Sequence, residues 1–244
     1  MQFLLIIFFT LLGSVFSVLL AASLLLFRGK RLAVLSAALI PYATGTLLGA
    51  AFFGIIPEAL QELDAETVLP AVLAGILLFY LIEKLAVWRH CHEKPCDEHS
   101  QAGALILIGD SFHNFVDGVA TAAAFAVSVP LGIATSIAII THEIPQELGD
   151  FAILLDSGYS RSRALLFNML SGLAALLGAV LTYFLLPVVH GWTPYLLAVA
   201  AASFIYIALA DLIPGRRSAG GLRNLAWELP LMILGIATIV LLHA

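Results

Sequence analysis

Long apolar stretches alternate with short polar loops along nearly the whole chain. A helix needs about 20 predominantly apolar residues to cross a bilayer. The pattern therefore predicts an all-α polytopic membrane protein, with residues 1–244 forming a single transmembrane domain. The eight predicted spans cover about residues 2–27, 33–56, 68–88, 103–127, 131–155, 164–186, 194–213 and 228–243.

Composition supports this fold class and excludes several functions. The chain is 61% hydrophobic and only 11% charged, whereas soluble domains carry about 25% charged residues. This leaves no room for a sizeable soluble domain, and the lipid bilayer is the predicted surrounding medium. No basic patch interleaves with aromatic residues, which argues against nucleic-acid binding. No nucleotide-binding motif is present, so any transport would depend on a gradient.

The charged residues predict the orientation. All 11 lysine and arginine residues lie in or beside the odd-numbered loops. The second loop instead carries four acids, Glu58, Glu62, Asp64 and Glu66. By the positive-inside rule, the odd-numbered loops are cytoplasmic and both termini face outward.

The fourth predicted span carries ionisable residues on one face. Asp110, His113, Asn114 and Asp117 are spaced i, i+3, i+4 and i+7, so their side chains share one side of a helix. Charged groups inside a membrane are costly and usually functional. This face is therefore a candidate site.

The fifth span carries a matching set. His142, Gln146 and Asp150 are successive turns apart, with Glu143 and Glu147 in the adjacent row. The turn at 128–130 is very short, so the two spans form an antiparallel hairpin.

The relative depth of residues on the two spans follows from the antiparallel geometry of the hairpin. Both helices rise about 1.5 Å per residue, so residues whose numbers sum to about 259 lie at the same level. Asp117 is then level with His142, and His113 is level with Gln146. Nitrogen and oxygen ligands of this kind suit zinc or another first-row divalent cation.

The candidate metal ligands are His113, Asn114, Asp117, His142, Glu143 and Gln146. Candidate pathway residues are Asp110, Glu147, Asp150 and Asp211. The alternative to metal binding by these residues is a polar network that only holds helices together. Serine, threonine or asparagine suffices for that role, at about 0.6 kcal/mol per hydrogen bond. For Asn114 and Gln146, a role in orienting a ligand is a further alternative. For the pathway residues, capping or helix pairing is the alternative.

The third loop, residues 89–101, is rich in metal-binding residue types. Its candidate contacts are His90, Cys91, His92, Cys96 and His99. Their spacing matches no closed structural zinc site. The alternative to metal binding by this loop is that it is only a solvated charged segment.

Two motifs in the hairpin resemble a known family. His113–Gly118 reads HNFVDG and His142–Asp150 reads HEIPQELGD. They are similar to the fourth and fifth spans of bacterial-type ZIP (Zrt-, Irt-like protein) metal transporters, nearest the branch with HNFxDG and HExPHELGD. Gln146 departs from the histidine of that branch, which predicts a change in affinity or metal preference.

The resemblance implies a function and an architecture. The function is movement of a divalent metal into the cytoplasm across the cell membrane, most simply Zn²⁺, with Cd²⁺, Fe²⁺ and Mn²⁺ as other candidates. The implied architecture is a three-two-three helix arrangement in a homodimer. For the third loop, the resemblance implies a cytoplasmic segment that accepts or senses metal.

Within the chain, spans two and seven share a small-residue run that leads to an Ile-Pro end, ending at Pro57 and Pro214. They cross in opposite directions, which indicates an inverted repeat. Small residues predict close helix approach, among them Gly45, Gly49, Gly172 and Gly178.

Two other functions are compatible with the motifs. HExxQ at His142–Gln146 is one residue from the HExxH of zinc proteases, which gives an intramembrane metalloprotease as an alternative. Against it, the second histidine is missing and Pro145 interrupts the motif. The third candidate is a metal-sensing membrane scaffold without flux. We predict a transporter and not an enzyme.

Overall fold

The structure is a computed structural model that describes residues 1–24, 30–91, 98–189, 191–213 and 221–243. Within these ranges it contains eight helices and no strand, which confirms the all-α class. The helices are α1 (Gln2–Leu24), α2 (30–62), α3 (Ala65–Cys91), α4 (Glu98–Val127), α5 (Val129–Asp156), α6 (Arg161–Leu185), α7 (Thr193–Leu212) and α8 (Gly221–His243).

Six of these helices are long and apolar enough to cross a membrane. They are α1, α2, α3, α6, α7 and α8. The prediction of a polytopic membrane protein is therefore confirmed. The two helices outside this group are α4 and α5, which carry the candidate site and hence more polar residues.

Among the described residues, three helices contain a short π-helical segment. These segments are Leu12–Phe16 in α1, Ala50–Ile55 in α2 and Ile207–Leu212 in α7. A π turn places one extra residue in the helix and occurs frequently at functional sites. In α2 and α7, it lies immediately before the Ile-Pro end noted in the sequence.

The α4–α5 hairpin is closed by a single residue, Ser128. Its hydroxyl accepts a hydrogen bond from the backbone N–H of Leu131 at 3.2 Å, and Pro130 occupies the first turn of α5. Both are typical helix-start features, because serine satisfies a free N–H and proline lacks one. The short turn keeps the two helices adjacent along their length.

The end of α5 is equally well defined. Gly158 has a φ of 85°. The N–H of Gly158 bonds the carbonyl of Leu155, and that of Tyr159 bonds the carbonyl of Leu154. This is the Schellman arrangement, in which glycine takes the left-handed conformation that other residues avoid. The chain then continues directly into α6, whose start is capped by Ser160.

The helices form a bundle with α2 and α7 in its interior. Of their most apolar segments, 67% and 61% of residues are buried, against 17% in α3 and 11% in α8. α5 packs against α1, α2 and α4, and α4 packs closely against α6. The hairpin thus lies among other helices, while α3 and α8 present leucines such as Leu77 and Leu241 outward, as expected for lipid contact.

Two helix pairs cross at glycines with almost no space between backbones. In α2 and α8, a Cβ on Gly45 would lie 2.1 Å from the carbonyl oxygen of Met232, and one on Gly235 would lie 2.3 Å from that of Tyr42. α4 and α6 meet in the same way through Gly118 and Gly178. Small residues allow this approach in membrane proteins, where helices associate through packing.

We expect Gly45→Ala to lower the melting temperature of the purified protein. Its methyl group would overlap the Met232 backbone, and overpacking of this kind costs about 1–3 kcal/mol. The matched control is Gly109→Ala, because a Cβ at this helical glycine meets no atom within 4 Å. The control should be neutral or stabilising. Equal melting temperatures for the two variants would contradict the close crossing.

Candidate metal centre

Four side chains of the hairpin converge at one point. His113 and Asp117 lie one turn apart on α4, and His142 and Glu143 are consecutive on α5. One ligand atom from each lies within 4.8 Å of all the others. The reflection about the turn predicts Asp117 level with His142, and their nearest atoms, Oδ2 and Nε2, are 3.2 Å apart.

Five of the six distances between ligand atoms in this cluster are close to those of tetrahedral coordination, and the sixth, between Asp117 and Glu143, is within 4.8 Å. From His113 Nε2, the distances are 3.1 Å to His142 Nε2, 3.2 Å to Glu143 Oε1 and 3.6 Å to Asp117 Oδ2. His142 Nε2 lies 3.7 Å from Glu143 Oε1. With metal–ligand bonds of about 2.0–2.2 Å, the corners of a tetrahedron lie about 3.3–3.6 Å apart. The four atoms could therefore surround one zinc-sized ion without large movements.

The orientation of the His142 ring is set by the backbone. Its Nδ1 lies 2.9 Å from the carbonyl oxygen of Ala138, one turn earlier in α5. A carbonyl only accepts hydrogen bonds, so Nδ1 carries the proton and Nε2 presents its lone pair to the cluster. The ring of Phe204 on α7 meets this imidazole edge to face, with centroids 6.2 Å apart. His142 is fully buried as a result.

Apart from the neighbouring imidazole nitrogens, the two carboxylates of the cluster have no hydrogen-bond donor among the described residues. Both oxygens of Asp117 and both of Glu143 are buried without any other hydrogen-bond partner. Their exposed fractions are 2% and 1%. Burying a carboxylate costs several kcal/mol unless a cation or donors compensate for the lost water. The arrangement has the chemistry of a cation site that two imidazoles and two carboxylates share.

The amides among the predicted ligands have different surroundings. Asn114 is buried, and its NH₂ group donates to both the backbone carbonyl and the Oδ1 of Asp110, at 3.2 and 2.9 Å. Asn114 therefore holds Asp110 in place. Gln146 is half-buried, one turn beyond His142. Direct ligation by Asn114 and by Gln146 stays a prediction.

Three of the predicted pathway residues lie deep in the bundle. Asp110, Glu147 and Asp150 are 4%, 0% and 7% exposed. Asp211 is exposed and lies in the π-helical segment of α7. The loop candidates cannot be placed, because His92 and Cys96 and the side chains of His90, Cys91 and His99 lie outside the described residues.

Sequence reasoning missed one residue near the site. Asn168 on α6 is 0% exposed, and its side chain lies beside Glu147 of α5. Between Ser171 and Leu176 the sixth span has no acidic residue. A search for any polar residue in that apolar span would have found Asn168.

Comparison with known proteins agrees with the geometry. Residues 88–243, more than half of the chain, match the family model described as ZIP Zinc transporter. "Zinc transporter ZIP10" of Danio rerio is 44% identical over 110 residues, and "Zinc transporter ZIP4" of Mus musculus is 49% identical over 112. "Metal cation symporter ZIP14" of Mus musculus is 47% identical over 110 residues.

Each of these alignments covers 45% of this chain. It covers only 13%, 16% and 22% of the respective relatives, so the chain spans a minor part of their length. The family-model match includes the whole hairpin with its four clustered side chains. On this match, the chain belongs to the ZIP zinc transporter family and is a multi-pass membrane protein.

Proposed function

We propose that this protein carries zinc into the cytoplasm through the cluster of His113, Asp117, His142 and Glu143. The observation that carries the proposal is the convergence of four ligand atoms, all within 4.8 Å of one another, at a buried point of a membrane-embedded hairpin. Two imidazoles with two carboxylates are a suitable ligand set for zinc. The relatives' names, two zinc transporters and one metal cation symporter, support the same substrate class.

The direction rests on the resemblance to ZIP transporters and on the predicted orientation. Glu62 at the end of α2 and Asp64 in the turn before α3 are exposed at the predicted outer face. Negative charge there raises the local concentration of cations. Bound zinc would exchange its water for the hairpin ligands and leave toward the cytoplasmic ends of α4 and α5. Cd²⁺, Fe²⁺ and Mn²⁺ stay candidate substrates, and homodimerisation stays a prediction.

We further propose that α1–α3 and α6–α8 are inverted repeats on either side of the hairpin. The packing supports this. The repeats would relate α1 to α6, α2 to α7, α3 to α8 and α4 to α5, and under this correspondence each major contact between two helices has a counterpart. The α1–α5 contact corresponds to α6–α4, and the α3–α7 contact to α8–α2. The π-helical segments of α2 and α7 also correspond. Such repeats allow a central site to open to one side at a time.

Zinc uptake into proteoliposomes tests the function. The native protein should give saturable uptake, and the double variant His113→Ala with Asp117→Ala should give none above empty vesicles, because two of four ligands are lost. The matched control removes the same two residue types at helix ends, His243→Ala with Asp156→Ala, and should keep native uptake. Zinc accumulation by intact cells that express the protein gives the direction.

Two results would contradict the proposal. Native uptake by the His113 and Asp117 double variant would move the site away from the cluster. Absence of uptake by correctly folded native protein would contradict transport itself. No observation favours the protease, since Gln146 occupies the position of its second zinc histidine.

A further inference from the structure

The four-residue cluster is not equally closed on all sides. The side chain of His113 is 13% exposed, whereas those of Asp117, His142 and Glu143 are at most 2% exposed. On the α7 side, the ring of Phe204 packs against His142. His113 also lies nearer than Asp117 to the cytoplasmic end of α4 in the predicted orientation. The cluster is therefore most open at His113, on its predicted cytoplasmic side.

The hairpin leaves open space beyond His113. Gly109, one turn before His113 on α4, and Gly149 on α5 are both exposed helical glycines. A Cβ on either glycine would meet no atom of the described residues within 4 Å. Reflection about the hairpin turn places the two glycines at nearly the same level, on the cytoplasmic side of the cluster. An ion that passes His113 therefore meets little obstruction from the hairpin itself.

Three aromatic rings from three helices lie beside this opening. Phe112 directly precedes His113 on α4, and its ring centroid lies 6.3 Å from that of Phe79 on α3. The Phe79 ring in turn lies 6.3 Å from the ring of Tyr206 on α7. Interacting aromatic pairs have centroids about 4.5–7 Å apart. The three rings, here named the aromatic bridge, therefore connect the hairpin to α3 and α7 next to His113.

The pairing of α3 with α7 holds Phe79 in place. Gly75, Phe79 and Glu83 lie on successive turns of α3 and share one of its faces. A Cβ on Gly75 would lie 2.6 Å from that of Ala202 on α7. One turn beyond Phe79, Glu83 accepts a hydrogen bond on Oε2 from the hydroxyl of Tyr206. Phe79 thus lies between a close helix contact and a hydrogen bond, both of which join α3 to α7.

Negative charge lies on the far side of the aromatic bridge. Asp211, in the π-helical segment of α7, is exposed and close enough to His113 and Glu83 to interact with both electrostatically. A cation that leaves the cluster past the bridge would therefore enter a region whose charge attracts it. The bridge separates two places that are each favourable for a cation.

We propose that the contact between Phe79 and Phe112 is a gate that slows the release of zinc from the four-residue cluster toward the cytoplasm. Tyr206 and Glu83 are positioning residues that hold Phe79 in the gate. α3 packs mainly against α7 and little against α4, so the ring contact can open without separating a large interface. A gate acts on rates, because it adds a barrier to binding and release alike. The proposal rests on zinc binding by the cluster, which is part of the proposed function.

The rate of zinc release from purified protein in detergent tests the gate. Stopped-flow mixing of zinc-loaded protein with excess chromogenic chelator measures the dissociation rate, and equilibrium competition with the same chelator measures affinity. Phe79→Ala and Phe112→Ala should each raise the dissociation rate at least about fivefold and change affinity less than about twofold. Damage to the ligand geometry would instead weaken affinity. The double variant should be no faster than the faster single variant, because both substitutions remove one contact.

Phe184→Ala is the matched control for these variants. Its ring lies 5.9 Å from that of Phe3, so the substitution also removes an aromatic contact between two helices, α6 and α1. It should release zinc at the native rate. A monodisperse elution profile for every variant excludes unfolding. Native release rates in both Phe79→Ala and Phe112→Ala would overturn the gate.

Two substitutions of Glu83 separate its positioning role from its charge. Glu83→Gln keeps an oxygen that can accept the hydrogen bond from Tyr206, so it should keep the native release rate. Glu83→Leu has no acceptor for this hydroxyl, so it should raise the release rate at least about twofold. Both variants remove the negative charge. Equal release rates for the two variants would contradict the positioning of Phe79 through this hydrogen bond.

The outcome for the gate is distinguishable from the outcome for zinc transport. Unchanged release rates in the phenylalanine variants, with intact uptake by the native protein, would contradict the gate alone. Faster release from Phe79→Ala, with no uptake by the native protein, would contradict transport and leave the gate standing. A readout without zinc is the reaction of His113 with diethyl pyrocarbonate, followed by peptide mass spectrometry. This reaction should be faster in Phe79→Ala than in Phe184→Ala, because only Phe79 belongs to the aromatic bridge.

Discussion

His142→Ala is expected to lower zinc affinity more than about a hundredfold. Mutation of residues that merely orient a metal ligand typically costs 10–100-fold in affinity, and His142 offers its own Nε2 to the ion. This nitrogen is 3.1 Å from His113 Nε2 and 3.2 Å from Asp117 Oδ2, so its loss removes one corner of the tetrahedron. The other imidazole of the cluster, that of His113, already supplies its own ligand atom, so it cannot also fill that corner.

Competition with a chromogenic zinc chelator on detergent-purified protein measures this affinity. His243→Ala is the matched control, since it removes an imidazole at the far end of α8, and it should bind zinc as the native protein does. A monodisperse elution profile for both variants excludes unfolding. Zinc affinity within threefold of native for His142→Ala would contradict the assignment of this histidine as a ligand.

Gly118→Ala is expected to disrupt the site through the backbone. Alanine normally stabilises a helix interior by about 0.5–1 kcal/mol relative to glycine. Here the new Cβ would lie 1.9 Å from the carbonyl oxygen of Ala175, closer than any non-bonded contact allows. α4 must therefore move away from α6. Asp117 directly precedes Gly118, so this movement displaces a residue of the cluster. Because metal–ligand distances tolerate only about ±0.2 Å, we expect lower thermal stability and at least a tenfold loss of zinc affinity.

Gly172→Ala on α6 is the matched control for this variant. A Cβ there meets Ser14 at 3.5 Å, an ordinary van der Waals distance. It should keep native stability and native zinc affinity, measured by thermal unfolding and by the same chelator competition. A Gly118→Ala protein that matched the control in both measurements would show that α4 and α6 do not depend on this contact.

Much of the cluster could be predicted because helix geometry is regular. A hairpin with a very short turn fixes which residues are level, and the prediction that Asp117 lies level with His142 follows from this alone. The one-turn spacing of His113 and Asp117 is likewise a direct property of the α-helix. Neither conclusion required knowledge of the rest of the bundle.

Features that depend on contacts between distant helices could not be predicted in this way. Gly45 and Gly178 were expected at close approaches and lie there, but Gly172 meets only ordinary contacts. Gly118 was interpreted as part of a motif, although it is a packing residue. Which glycine meets a backbone depends on helix rotation and crossing angle, which sequence spacing does not contain. The same holds for Asn168, whose importance comes from its neighbours on α5.

The polarity of the hairpin has a consequence for topology maps drawn from hydropathy. The six helices that satisfy the criterion for a membrane span exclude α4 and α5, so such a map would show residues 98–156 as part of one loop. A hairpin contributes two membrane crossings. A map that omits it therefore still places both termini on the same side of the membrane and still agrees with the positive-inside rule. In transporters whose ligands lie on one hairpin, the helices that bind the substrate are therefore the ones that such a map omits without any sign of error.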